Sequence, residues 1–273
     1  MSDEKITAFK GFDSELRCRG FQYEVGKTYE YDGNILICRF GFHAVENPLD
    51  VWGYYEPVAA RYALVECSGD IGRMPSDDTK FVSSKIAIKE ELTLGDFIRR
   101  AVDYQLGLVI IDATVDAASG DNSRLTASGD NSQLAASGDS SQLAASGHYS
   151  QLAASGDYSR LTASGDSSQL AASGDYSRLT ASGDSSRLAA SGDHSRLAVS
   201  GDSSQLAITG QNGVIAAAAP GCIAKGAAGT WISLAEFDGG QCIGFVSACV
   251  GQNGIKPDTF YRAENGVLVE VKW

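Results

Sequence analysis

ASGDYSRLT (residues 154–162) followed by ASGDSSQLA (residues 163–171) is the stretch that decides the fold. The same nine-residue unit runs without interruption from Ala118 to a decayed copy, ITGQNGVIA, that ends at Ala216, eleven copies in all. Leucine returns every ninth residue from Leu125 to Leu206, with Ile215 in the last copy. Nine residues make about two and a half helical turns, so a helix would throw successive leucines to opposite sides. In a strand, Ser, Leu and the following Ala point one way and the variable residues point the other. Ser-Gly-Asp then reads as a turn, with Gly expected to supply positive φ and Asp to bond its own downstream backbone. A single unit cannot bury its apolar side, so copies must stack into a thin, mainly β fold, a β-solenoid with a core of Ala, Ser and one Leu per strand.

The substitutions give the number of units per coil. Before Leu, the odd copies carry Arg124, Gln142, Arg160, Arg178 and Arg196; the even copies carry Gln133, Gln151, Gln169, Arg187 and Gln205. Thr126, Thr162 and Thr180, after Leu, also fall in odd copies. The true period is therefore 18 residues, with two strands per coil. Eleven copies predict five and a half coils, roughly 25 Å long at about 4.8 Å per coil. The pattern resembles the calcium-binding nonapeptide β-roll of secreted toxins in having two nine-residue units per turn, but it lacks the GGxGxD turn. Most copies offer a single Asp, such as Asp121, Asp130 and Asp139. Calcium takes about 6–8 oxygens, so these read as turn caps and no metal site is expected.

The two faces differ in chemistry. Arg124, Arg160, Arg178 and Arg196 on the odd face, with Tyr158, Tyr176 and His194 two residues before the last three, predict an aromatic and guanidinium ladder. Guanidinium forks bind phosphate or carboxylate and stack on rings, which suits a contact surface. The alternative is that Tyr and Arg only cover the strand backbones while the turn aspartates balance the charge. The even face, mostly Gln and Ser, reads as a neutral polar wall.

Across 273 residues, 34 acidic and 22 basic side chains give a formal net charge of -12. An acidic surface disfavours general nucleic-acid binding, and no direct DNA contact is expected. The opening MSDEKITAFKGF has no basic, apolar leader, and no apolar run nears the roughly 18 residues of a membrane span. A soluble, cytoplasmic protein with no membrane contact is the expectation. Six cysteines show neither CxxC pairing nor His at ligand spacing, so free thiols are expected rather than zinc or disulfides. No cofactor is expected.

Residues 1–93 read as a small α+β domain, with strand-like FQYEVGKTYEY, NILICRF, ARYALVECSG and KFVSSKIAIK. Residues 94–117 read as a helix capped by Thr93, then LVIIDATV, closing one end of the solenoid of residues 118–216. Residues 217–273 read as a β cap, through TWISLAEF, CIGFVSACV, TFYRAEN and VLVEVKW. The terminal domains are also the expected route to a homo-oligomer.

Both ends carry a resemblance. KGFDSELRCRGFQYEVGKTYE and GFHAVENPLDVWGYYEP, with the closing KPDTFYRAENGVLVEV, resemble an uncharacterised family of bacteriophages and prophages, in which similar ends flank tracts of variable length. That resemblance implies a phage-encoded protein made in the host cytoplasm, and no known activity. Arg19-Gly20, Gly-Phe-His at residues 41–43, Asn47-Pro48 and Tyr54-Tyr55 look like the first two motifs of ADP-ribosyltransferase-like domains. The likeness implies that Arg19, His43 and Tyr54 hold a nucleotide and that Glu66 is the candidate carboxylate; no STS or QxE triplet accompanies it, and His43 also reads as a structural histidine.

No nucleophile-base set, P-loop or metal spacing appears, and three histidines offer little acid-base capacity. The expectation is a non-catalytic binding protein, an inhibitor that occupies the surface of a host defence or nucleic-acid enzyme or imitates a polymer. Pentapeptide-repeat solenoids work by such mimicry, an analogy of architecture alone. A self-assembling spacer is the main rival and a nucleotide-binding transferase-like protein the third reading.

Overall fold

The computed structural model describes residues 5–55, 60–73, 78–108 and 115–271. The chain divides into two compact units, residues 1–104 and 105–273.

In the first unit, β1 (Ile6–Phe12), β2 (Arg17–Cys18), β3 (Phe21–Gln22), β4 (Thr28–Glu30) and β5 (Phe42–Val45) precede a 3-10 helix, Pro48–Gly53. Then come β6 (Arg61–Arg73), β7 (Lys80–Leu92) and α1 (Leu94–Leu108). β7 pairs with β5, β5 with β1, β1 with β6 and β6 with β7, all antiparallel, so the sheet closes into a small ring that β4 extends along β7. Phe12, Val65, Phe81, Ile86 and Ile88 fill it. On β1, Ala8 and Phe12 face this interior, and period-two alternation puts Lys10 on the same row. NILICRF forms no strand, only an isolated bridge between Leu36 and Phe40, and both side chains are exposed. Strand-forming residues there have no partner face to bury against, so propensity alone does not make a strand.

Thr93 caps α1 as expected, its hydroxyl accepting from the Asp96 N–H. The helix's buried apolar residues, Phe97, Ile98, Ala101 and Val102, lie on one side, and the Phe97 ring packs against Phe9, Trp52 and Tyr62. Its first turns thus complete the first unit. Residues 109–114 of LVIIDATV lie outside the described residues.

The second unit is a β-solenoid of about seven turns in residues 117–234. Arg124–Ala127, Gln142–Ala145, Arg160–Ala163, Arg178–Ala181, Arg196–Val199 and Val214–Ala217 stack in parallel register on one side. Strands from Val115–Ala118 through Gln133–Ala136 to Ile223–Gly226 stack on the other. The 18-residue coil and the segregation of odd from even copies are as the substitutions indicated. The solenoid runs further than the repeat: AAAPGCIAKG and the first half of Trp231–Asp238 add strands, where a separate cap was expected from residue 217. The nonapeptide signature has gone there, but Ala224 and Ile232 still occupy the buried leucine register.

Leucines 134 to 206 are at most 2% exposed, and the serine two residues before each is buried too. Burying a leucine contributes about 1.5–3 kcal/mol, so each coil adds two such increments on its neighbour. The turn works differently from the expectation. The Ser-Gly-Asp glycines do not have positive φ; the left-handed residue is the one after Asp, at φ near +57° from Asn122 to His194. From Gly138 onward, a Cβ on the glycine would collide with the backbone of the glycine 18 residues earlier, whereas at Gly120 and Gly129 the nearest atom to it would be a serine hydroxyl oxygen at 3.8 and 3.9 Å. Glycine is therefore required by the close approach of coils.

Each sheet ends in antiparallel strands. Gln241–Cys249 pairs with Trp231–Asp238, and Tyr261–Glu264 lies against Ile223–Gly226 and pairs with Val267–Glu270. Among the described residues, no helix is long and apolar enough to cross a membrane.

Candidate functional site

Two places bring chemistry-bearing side chains together, one in each unit. In the first, Lys10, Cys18, Arg19, Cys38, His43, Tyr54, Tyr55 and Lys80 line a cavity of about 550 Å³ whose walls also carry several phenylalanine and tyrosine rings. Lys10 is 4% exposed; its ammonium donates to the His43 carbonyl at 2.9 Å and to Cys18 Sγ at 3.5 Å, and it lies 5.5 and 5.6 Å from the Phe12 and Tyr23 rings. Burial lowers its pKa, because the ammonium has left water and no carboxylate stands beside it among the described residues. The Tyr55 hydroxyl donates to Cys18 Sγ at 2.9 Å, and burial, then that sulfur, raises the Tyr55 pKa. Gly11 leaves the room that the Tyr55 ring fills.

Arg19, His43 and Tyr54 all line this cavity. Arg19 sits in the left-handed region at φ 51° and donates to the Cys38 carbonyl at 2.9 Å. His43 Nε2 accepts from the Cys38 N–H at 2.7 Å, and the ring also bonds the Gly41 backbone. Burial, then Lys10, Arg19 and Lys80, push its pKa down to about 4. The imidazole is neutral near pH 7 and spends its nitrogens on the loop, the structural role that the sequence also allowed. Tyr54 follows the 3-10 helix; its hydroxyl donates to Asp78 and accepts from Lys80 Nζ at 2.7 Å. Glu66 does not join them. It lies outside the cavity lining and pairs with Lys5 and Lys89, both at 3.2 Å, which hold its pKa down.

Lys10, Cys18 and Lys80 are not singled out by the sequence, and Tyr55 only as the second residue of the Tyr54-Tyr55 pair. The signal for Lys10 was present: Ile6, Ala8, Lys10 and Phe12 alternate, which puts a lysine in an interior row. The others come from loops and a distant strand, where spacing says nothing of proximity.

The second place is the odd face. Arg124, Gln142, Arg160, Arg178, Arg196 and Val214 are successive register partners in one column, and the arginines are exposed. No carboxylate lies within ion-pair distance of them among the described residues. The turn aspartates are engaged otherwise than expected: Asp139, Asp157 and Asp175 Oδ1 each accept from the backbone N–H one coil further on, at 2.8 Å. Tyr158, Tyr176 and His194 stand in the turn before the odd strands and stack on each other, at 5.1 and 4.9 Å between centroids and with nearly parallel planes. The rings therefore form their own ladder beside the arginine column. On the even strands Gln133, Gln151, Gln169 and Gln205 are half-buried and the alanines after Leu are at most 2% exposed, so that side offers less polar surface than a wall of exposed glutamine.

Residues 6–100 match the family model of a domain of unknown function (DUF7666). Neither a curated protein nor a solved structure matches the chain.

Proposed function

We propose that this is a non-catalytic binding protein whose solenoid presents the odd-face arginine column to an anionic partner surface. The observation that carries the reading is the charge column itself. Arg160, Arg178 and Arg196 stand on adjacent strands about 4.8 Å apart, and stacked like charges destabilise a sheet unless a counter-charge meets them. Among the described residues no carboxylate pairs with them, although the chain carries a net charge of -12. A rigid repeat fixes the spacing in advance, so little ordering entropy is lost on contact.

The likeness of the leader to phage and prophage proteins directs this reading towards a host protein, a defence or nucleic-acid enzyme, inhibited by occupation of its surface in the host cytoplasm. The regular carboxylates of the turns, Asp121 to Asp193 on one edge, are compatible with polymer mimicry by the same rod. The test is native mass spectrometry of the tagged full chain recovered gently from host lysate, wild type beside an Arg160→Gln, Arg178→Gln, Arg196→Gln variant. A stoichiometric host protein on the wild type that is lost from the variant is expected. A partner held equally by both, or none on either, overturns the reading.

One observation favours the spacer as a second reading. Gln241–Cys249 is an uncharged edge strand with Ile243 59% and Phe245 58% exposed, a template for pairing with another chain. A bare oligomer in the same experiment, unchanged by the arginine substitutions, is its signature.

A further inference from the structure

We propose that the cavity of the first unit is a binding site for a planar aromatic ring joined to a phosphate, the chemistry of a nucleoside monophosphate. The inference is independent of the arginine column.

Charge is the first ground. Among the described residues, those lining the cavity include Lys10, Arg19, Arg39 and Lys80 and no aspartate or glutamate, in a chain where acids outnumber bases 34 to 22. Four basic groups around one space suit a phosphate dianion better than a single carboxylate. Lys10 sharpens the point. An ammonium that is 4% exposed and bonds a carbonyl and a thiol carries a desolvation cost that no anion among the described residues offsets. A ligand anion reaching it supplies the missing counter-charge.

Shape and surface are the second ground. A space of about 550 Å³ lies within the range of small-molecule sites and admits one nucleotide. Its walls carry Phe21, Tyr23, Tyr31, Phe40, Phe42 and Tyr55. Phe21 and Phe40 stay 46% and 53% exposed, apolar area that a flat ring would cover. The loops are held in place: Arg19 and Cys38, both lining residues, occupy the left-handed region at φ 51° and 63°, pinned by the Arg19 bond to the Cys38 carbonyl and by His43. Strained, over-determined backbone of this kind gathers at ligand sites.

The test is calorimetric titration of the full chain with AMP, GMP, CMP and UMP, with the corresponding nucleosides, and with inorganic phosphate. One-to-one binding of at least one mononucleotide with a Kd in the micromolar range is expected, with its nucleoside and phosphate alone each weaker by about tenfold or more. Lys10→Met and Arg39→Gln should each weaken it by about tenfold. Arg39 is exposed, so its variant stays informative if Lys10→Met does not fold. Bound nucleotide should also slow iodoacetamide labelling of Cys38, read by peptide mass spectrometry. The arginine-column triple variant should bind the nucleotide as wild type does, which separates this site from the solenoid surface. No mononucleotide binding below millimolar concentration, a nucleoside that binds as tightly as its nucleotide, or full affinity in Arg39→Gln overturns the proposal.

Discussion

The residue after each turn aspartate shows how a single side chain trades local strain against neighbours. All these residues adopt φ near +57°, a region that favours Asn and penalises bulky side chains. Asn occupies it at 122, 131 and 212, but Tyr does so at 149, 158 and 176. Tyr176 stacks between Tyr158 and His194; no ring among the described residues stacks on Tyr149, which is 61% exposed. Tyr149→Asn should therefore raise stability by about 0.5–1 kcal/mol. Tyr176→Asn gives up two stacks of about 0.5–1.5 kcal/mol each and should lower it by about 1 kcal/mol net. Urea denaturation of the two variants checks this, and equal shifts would show that the stacks contribute nothing. His43 makes a second prediction at this scale. Its folded pKa, about 4, lies below the ordinary 6.5, so between those values the unfolded chain binds more protons. His43's contribution to stability is full above about pH 6.5 and is lost as pH drops towards 4. His43→Gln should flatten that part of the curve in denaturation midpoints measured from pH 7 to 4.5; an unchanged slope would assign the loss to other groups.

At the scale of elements, the nonapeptide is a strand and a turn, but the structural unit is a pair of them. Odd and even strands are not interchangeable: Thr162 and Thr180 are exposed after Leu, while Ala153 and Ala171 in the same slot of even strands are fully buried. Deleting residues 163–180 removes one coil and keeps every later strand on its own side. Deleting residues 163–171 alone puts Arg178 and Thr180 into the even columns, where the Thr slot has no room. It also sends the terminal Gln241–Cys249 and Tyr261–Glu264 strands to the wrong sheets. The 18-residue deletion should give a monodisperse protein with a cooperative thermal transition by circular dichroism, lowered only by the lost coil. The nine-residue deletion should lose cooperativity or aggregate. Equal behaviour would mean that the two sides are equivalent.

At the scale of the whole molecule, two units place two kinds of positive site on an acidic chain. One is a cavity of converging cations and rings; the other is a column whose spacing is set by strand pairing. The column follows from local rules repeated along the chain, since each coil contacts only its neighbours. The cavity follows from none. It gathers β1, β2, β3, the segment between β4 and β5, β5 itself, the 3-10 helix and the start of β7, from Phe9 to Lys80.

That contrast separates what was legible in sequence from what was not. Period and parity determined the strands, the 18-residue coil, the odd-face arginine column and the buried leucines, because a repeat makes long-range neighbours predictable from short-range spacing. Thr93 and the apolar spacing after it likewise marked α1. The tertiary structure alone decided why the turn glycine is glycine, since the clash comes from a backbone 18 residues away. It also decided where the aspartates direct their oxygens and how far the solenoid continues beyond its signature. In the first unit it brought Arg19, His43 and Tyr54 to one cavity with Lys10 and left Glu66 outside. No period links those residues, and only the closing of β1, β5, β6 and β7 into a ring sets the distances among them.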